Sequence, residues 1–365
     1  MKKWVLFISV FTWCTLLFSQ EYSIIHNGLT RTYRLYLPDG YNPSESYPLV
    51  INMHGMGSNA LEQEIYTEFN QVSDTGEFIV VYPNGVNKLW NVSSTSGVDD
   101  VGFISALIDT LDVLYSIDLQ RVYATGMSMG GFMSYRLACE LSDRIAAIAS
   151  VTGLQAFFPC TPSRPVPVLQ MHGTADGVVP YAGVAPTIAN WVGYNACSTD
   201  PLVYDLPDID TTDNSTVTVS QYFPCDDSSE VLLYTINGGG HTWPGSNIII
   251  GITNQDIKAS NEIWGFFRKY TLEGTSSLAE RYAEDAIKLS IYPNPAGDYA
   301  AIEAGGIYTG QAVMNVYDIT GRMLRHEQIL IPGRYLFERK DLPGGLYVIK
   351  VETHANISAK VLILK

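Results

Sequence analysis

The chain has 365 residues, 46% hydrophobic and 16% charged, with a formal net charge of −15. That length can bury one large core and still leave residues for a smaller second domain. The acidic balance and the lack of clustered Lys/Arg argue against nucleic acid as a partner, because phosphate binding needs grouped cations.

The N-terminus reads as a signal peptide, residues 1–19. Lys2-Lys3 is a short basic region, Trp4 to Phe18 is almost continuously apolar, and Ser19 is a small residue suited to cleavage. The apolar run is too short to span a bilayer. Trp13 before Cys14 is too bulky for a lipid-attachment site. An exported chain favours disulfides, and Cys139, Cys160, Cys197 and Cys225 remain after the signal. Three pairings are possible. Cys139–Cys160 and Cys197–Cys225 are preferred, because each closes a short loop between neighbouring predicted elements. No C-x-x-C or His/Cys cluster suggests a metal.

Two antiparallel strands open the export-competent chain, Glu21 to Gly28 and Arg31 to Leu37. Leu49 to Met53 is a buried parallel strand that ends in His54-Gly55-Met56-Gly57-Ser58. Such a turn can supply an oxyanion donor, and the backbone N–H of Met56 is the candidate. The His54 side chain reads as a hydrogen-bond partner within the turn. A helix is predicted over Leu61 to Asp74, a strand over Phe78 to Tyr82, and a second helix from Asp99-Asp100 to about Tyr115, with the two acids as caps.

Arg121 to Thr125 is the next strand, and Phe132 to Leu141 is a helix. Between them lies Gly126-Met127-Ser128-Met129-Gly130-Gly131. A G-x-S-x-G string can arise by chance in a chain with 31 glycines. Placed between a strand and a helix, it reads as the nucleophile elbow of an α/β-hydrolase, with Ser128 at strained φ/ψ. The Met129 amide is then a free helix N–H aimed where an oxyanion would form. Strands at Ala146 to Val151 and Val166 to Met171 continue a βαβα alternation, which predicts an α/β fold with a doubly wound, mostly parallel sheet.

That fold presents nucleophile, acid and histidine in chain order. His26 and His54 precede Ser128, and His326 and His354 fall in a later domain, which leaves His172 and His241. His172 ends a strand, and Asp176 in the loop after it occupies the usual place of the acid. His241 follows the strand Val231 to Ile236 and the glycines Gly238-Gly239-Gly240. The expected triad is Ser128, Asp176 and His241.

Together, His54-Gly55, Asp100-Val101-Gly102-Phe103-Ile104, the elbow, His172-Gly173-Thr174-Ala175-Asp176 and Gly239-Gly240-His241-Thr242-Trp243-Pro244 resemble the secreted polyhydroxybutyrate depolymerase and feruloyl esterase group, which overlaps carbohydrate esterase family 1. The resemblance covers about residues 22 to 270 and implies carboxylic ester hydrolysis without metal or cofactor. Asn195 to Cys197 with Cys225 also resemble that group's lid-side disulfide. The implied substrates are feruloyl or acetyl esters of plant polysaccharide, or polyester bonds. The triad alone leaves a serine peptidase open, and a non-catalytic carbohydrate-binding protein is the alternative from another class. Trp243 could stack on a substrate ring or pack its own loop. The insertion Ser198 to Glu230 reads as a hairpin stapled by Cys197–Cys225. Its Asp208, Asp210 and Asp213 lack a full calcium-loop motif.

Asn261 to Tyr270 closes the first domain as a helix. From Ile291 the pattern changes to short strands with Gly and Pro turns. Tyr292-Pro293-Asn294-Pro295-Ala296, Val316 to Arg322, Asp341 to Val348 and Lys360 to Lys365 resemble the C-terminal sorting domain of type IX secretion substrates, a small all-β sandwich. The expected organisation is signal peptide 1–19, esterase domain 20–272, linker 273–288 and sorting domain 289–365. The expected partners are an ester substrate and the secretion machinery, and the chain is expected to act as a monomer outside the cell.

Overall fold

The computed structural model describes residues 20–93, 96–156, 159–275, 287–305, 310–318, 322–353 and 357–365. The expected signal peptide, most of the expected linker and His354 lie outside the described residues.

In the N-terminal part the strands are β1 (Gln20–His26), β2 (Leu29–Tyr36), β3 (Tyr47–Met53), β4 (Ile79–Pro83), β5 (Ile117–Met127), β6 (Ala147–Val151), β7 (Val168–Gly173), β8 (Leu202–Asp205), β9 (Thr216–Tyr222) and β10 (Val231–Asn237). They form one sheet in the order β1-β2-β4-β3-β5-β6-β7-β10-β9-β8. The middle run from β4 to β10 is parallel, and both edges are antiparallel. β3, β4, β6 and β7 are buried along their whole length, as strands covered on both faces must be. The helices are α1 (Ala60–Thr67), α2 (Phe69–Gly76), α3 (Asp100–Leu114), α4 (Met129–Glu140), α5 (Val184–Tyr194) and α6 (Ala259–Phe267). One apolar cluster unites α3, α4 and α5 with one face of the sheet, and another unites α6 with the opposite face. This is the doubly wound, mostly parallel α/β architecture that the alternation predicts.

One local expectation needs correction. The single helix expected over Leu61 to Asp74 is broken at Glu68, which adopts a left-handed φ of 53°. The Glu68 N–H closes α1 on the Glu64 carbonyl, and Asn247 Nδ2 donates to Glu68 Oε1 at 2.5 Å. No Gly or Pro marks the break. Farther along the chain, β11 (Tyr270–Thr271) pairs with β12 (Gly274–Thr275) in a small hairpin.

The hairpin read into the insertion is present: β8 and β9 pair antiparallel, and β9 lies against β10. Both preferred disulfides are formed, Cys139–Cys160 and Cys197–Cys225.

The C-terminal part contains β13 (Lys288–Tyr292), β14 (Tyr299–Gly305), β15 (Gly310–Asp318), β16 (Met323–Ile331), β17 (Gly333–Glu338), β18 (Gly345–Glu352) and β19 (Ile357–Leu364). Two antiparallel sheets, β13-β14-β17 and β16-β15-β18-β19, enclose one apolar cluster. The alternating burial of β14 is the period of a strand with one face on a core.

Candidate active site

Ser128 stands between β5 and α4 with φ 53° and ψ −118°, a conformation that L-residues seldom adopt. It is held there from both sides. Its N–H donates to the Val151 carbonyl at 2.8 Å, and its carbonyl accepts from Phe132 N–H at 3.0 Å. A Cβ at Gly126 or at Gly130 would collide with the Met53 carbonyl oxygen. The two glycines therefore let the elbow press against the end of β3. Met129 opens α4, so its N–H belongs to the first turn, where helix amides lack intrahelical acceptors.

Asp176 lies in the turn after β7. Its Oδ1 accepts from the N–H groups of Val178 and Val179, each at 2.8 Å. Its Oδ2 accepts from His241 Nδ1 at 2.7 Å. The Asp176 side chain is 0% exposed and that of His241 16% exposed, so the carboxylate is buried and the imidazole reaches the surface. The loops carrying these residues are stitched together. Thr174 N–H donates to the Ile236 carbonyl and Ala175 N–H to the Gly239 carbonyl, both at 2.9 Å, and Gly238 N–H donates to Thr174 Oγ1 at 2.8 Å. A Cβ at Gly173 would strike the carbonyls of Gly239 and Gly240. The bare backbone at Gly173 is thus what allows the histidine loop to lie on the acid turn.

On the other side of Ser128, the turn after β3 comes close. A Cβ at Gly55 would sit 3.4 Å from Ser128 Cβ. Met56, next in this turn, has its side chain in solvent. His54 is buried, as expected of a partner within the turn. Its Nδ1 donates to the Gly55 carbonyl at 2.7 Å, and its Nε2 accepts from Gly85 N–H at 3.0 Å. Burial keeps its pKa below the usual histidine value. Trp90 Nε1 donates to the His54 carbonyl at 2.9 Å, and Trp90 N–H points at Met129 Sδ at 3.2 Å.

Trp243 is corrected as a substrate contact. It is 1% exposed, its Nε1 donates to Ser260 Oγ at 3.1 Å, and Phe69 meets it edge-on at 6.3 Å. An indole so enclosed packs the loop and cannot stack on a substrate ring.

The acidic pair at the start of α3 does more than the sequence suggests. Asp99 is the expected cap, accepting from Gly102 N–H at 2.8 Å. Asp100 instead binds Arg31 at 2.7 Å with both side chains 1% exposed, and it also accepts from Asn91 N–H at 2.7 Å. This buried pair ties β2 to the segment beside Trp90. Its acid could be found from the Asp100-Val101-Gly102 motif, whereas Arg31 carries no local signal.

Comparisons with known proteins fit this geometry. Residues 31–184 match the esterase PHB depolymerase family, and residues 290–365 match the secretion system C-terminal sorting domain family. A bifunctional acetylxylan esterase/xylanase from Neocallimastix patriciarum is 29% identical over 255 residues, covering 69% of this chain and 35% of that protein. The chain thus spans about a third of that relative. Feruloyl esterase D from Neurospora crassa is 27% identical over 261 residues, covering 67% of this chain and 83% of the relative. The solved acetyl xylan esterase from Aspergillus awamori shares the fold, with a TM-score of 0.52 at 18% identity, covering 68% of this chain and all of that one. These similarities support an esterase-like N-terminal part followed by a part similar to secretion sorting domains.

Proposed function

We propose that the chain is a serine esterase in which Ser128 is the nucleophile, His241 the general base and acid, and Asp176 its orienting carboxylate. The observation that carries the reading is the 2.7 Å bond from His241 Nδ1 to Asp176 Oδ2, made beyond the C-terminal ends of β10 and β7, while Ser128 stands at φ 53° beyond the C-terminal end of β5 in the same parallel run. With Nδ1–H committed to the carboxylate, the free Nε2 of His241 is the basic atom.

The reaction runs in two halves. His241 Nε2 takes the Ser128 hydroxyl proton as Oγ bonds to the ester carbonyl carbon. The N–H groups of Met56 and Met129 stabilise the oxyanion. The bond to the alkoxy oxygen breaks, and His241 returns its proton to the leaving alcohol. Water then adds to the acyl-enzyme with the same proton traffic, releasing acid and regenerating Ser128. The balance is ester plus water to acid plus alcohol, and no step calls on a metal or cofactor.

The preferred substrates are feruloyl or acetyl esters on plant polysaccharide, in keeping with the names of the relatives. The exposed side chains of Met56 and Val178, which lie in the two turns beside the site, suit an apolar acyl group. The family match gives polyester depolymerase as the second reading. We read residues 1–19 as signal peptide, 20–272 as the esterase domain, 273–288 as linker and 289–365 as the sorting domain.

The test is Ser128→Ala, assayed on methyl ferulate, p-nitrophenyl acetate, a polyester film and a peptide amide. Ester turnover should fall by about 10⁴-fold or more with unchanged thermal unfolding. Retained activity on every ester would sink the mechanism, and the relative rates of the wild-type chain on ferulate, film and amide decide the substrate.

A further inference from the structure

We propose that His172, which takes no part in the chemistry above, is a positioning residue that holds the turn of Asp176 so that Oδ2 serves His241. The inference rests on the triad proposed above.

Asp176 is anchored through Oδ1 by the N–H groups of Val178 and Val179. His172 fixes the far end of the same turn, because its Nε2 donates to the Val179 carbonyl at 2.8 Å. That ring atom also lies 3.4 Å from Asp176 Oδ2, with both side chains fully buried. The imidazole therefore spans the turn, touching its first and last residues.

The ring is held from behind. Gln170 Nε2 donates to His172 Nδ1 at 3.1 Å, and Gln170 Oε1 accepts from the Tyr135 hydroxyl at 2.7 Å. Tyr135 belongs to α4, the helix that Ser128 begins. A buried chain of hydrogen bonds thus runs from the nucleophile's helix to the acid's turn. Gln170 presents a donor to Nδ1, so Nδ1 must be an acceptor and His172 the neutral Nε2–H tautomer.

Neutrality matters to the reaction. The titratable groups facing the ring are Asp176, His241 and Tyr181, whose ring stands edge-on at 6.0 Å. Burial lowers the affinity of His172 for a proton, the Asp176 charge raises it, and the His241 charge lowers it. A cationic His172 would share the carboxylate with the His241 imidazolium in each half-reaction. The neutral ring gives its shorter bond to Val179 and leaves Oδ2 to His241.

The test uses the full chain with His172→Leu, His172→Gln and His172→Asn, each with and without Asp176→Asn. The Gln amide can reach the Val179 carbonyl, whereas the shorter Asn amide cannot. His172→Leu and His172→Asn should lower kcat by about 10- to 100-fold with KM changed less than about threefold. The acid limb of the kcat/KM profile should move down by about half a pH unit, as His241 loses a well-aimed carboxylate. His172→Gln should recover kcat to within about fivefold of wild type. In the Asp176→Asn background, His172→Asn should cost less than about threefold more, because both changes act on one interaction.

A folded His172→Asn with wild-type kcat and an unmoved acid limb overturns the inference, as does an equal loss with and without Asp176. The Asn and Gln variants keep the test alive if His172→Leu does not fold. A wild-type rate for Asp176→Asn would bring down the triad and this inference together. A large loss there, with none in any His172 variant, brings down this inference alone.

Discussion

The sheet carries the same three residues at the ends of two parallel strands, Met53-His54-Gly55 where β3 gives way to a turn and Met171-His172-Gly173 as the last residues of β7, on either side of the strand that delivers Ser128. Both histidines are buried, and burial lowers the pKa of both. Their hydrogen bonds select opposite tautomers. His54 donates from Nδ1 and accepts at Nε2, which ties the turn to the Gly85 segment. His172 donates from Nε2 and accepts at Nδ1, which ties the turn to Gln170 and Val179. One motif thus serves two tasks. After β3 it braces a turn whose next amide is the proposed oxyanion donor, and after β7 it braces a turn that carries a buried carboxylate. The partners supplied by the surrounding fold decide the task.

The glycines offer the sharpest way to break the likeness. Gly173→Ala should lower unfolding free energy by about 2–4 kcal/mol and kcat with it, since its methyl group would enter the carbonyls of Gly239 and Gly240. Gly55→Ala should cost no more than about 1 kcal/mol, because the nearest atom to its methyl group is Ser128 Cβ at 3.4 Å. Urea unfolding of the two variants checks the pair, and equal losses would show that the turns are packed alike.

Next in size is His54→Leu. It strands the Gly55 carbonyl and the Gly85 N–H, so unfolding free energy should fall by about 1–3 kcal/mol. Thermal and urea unfolding measure it, and a variant as stable as wild type would mean that the ring braces nothing.

The smallest effect is the pH dependence that the two histidines share. Each has a folded pKa below its unfolded value, so the unfolded chain binds more protons near and below pH 6.5. Stability should be unaffected by them above that pH and should decline as pH falls towards 5. Each histidine contributes at most about 1.4 kcal/mol per pH unit. His172→Gln should flatten the decline between pH 7 and 5 by one histidine's share. An unaltered slope would show that His172 is protonated in the folded state.

Much of this was legible because it is local. Short runs such as Leu49 to Met53, apolar but for Asn52 and bounded by turn residues, read as strands covered on both faces, and the glycines around Ser128 mark a tight strand-to-helix turn. Chain order and elimination also point to His241 as the proposed base, since a histidine before the elbow cannot follow the acid. The failures share one cause. The enclosure of Trp243 against Phe69 and the ion pair of Asp100 with Arg31 each depend on residues far away in the chain.

By itself the sequence determined the α/β alternation, the elbow at Ser128, the two disulfides and the change to a β-sandwich tail, all of which follow from residue periodicity, turn chemistry or short spacing. Only the tertiary structure decided that Asp176 and His241, 65 residues apart, share a 2.7 Å bond, and that two Met-His-Gly segments at strand ends hold their rings in opposite tautomers. A tautomer is set by the donors and acceptors around the ring, and those arrive from separate strands and loops only when the sheet closes.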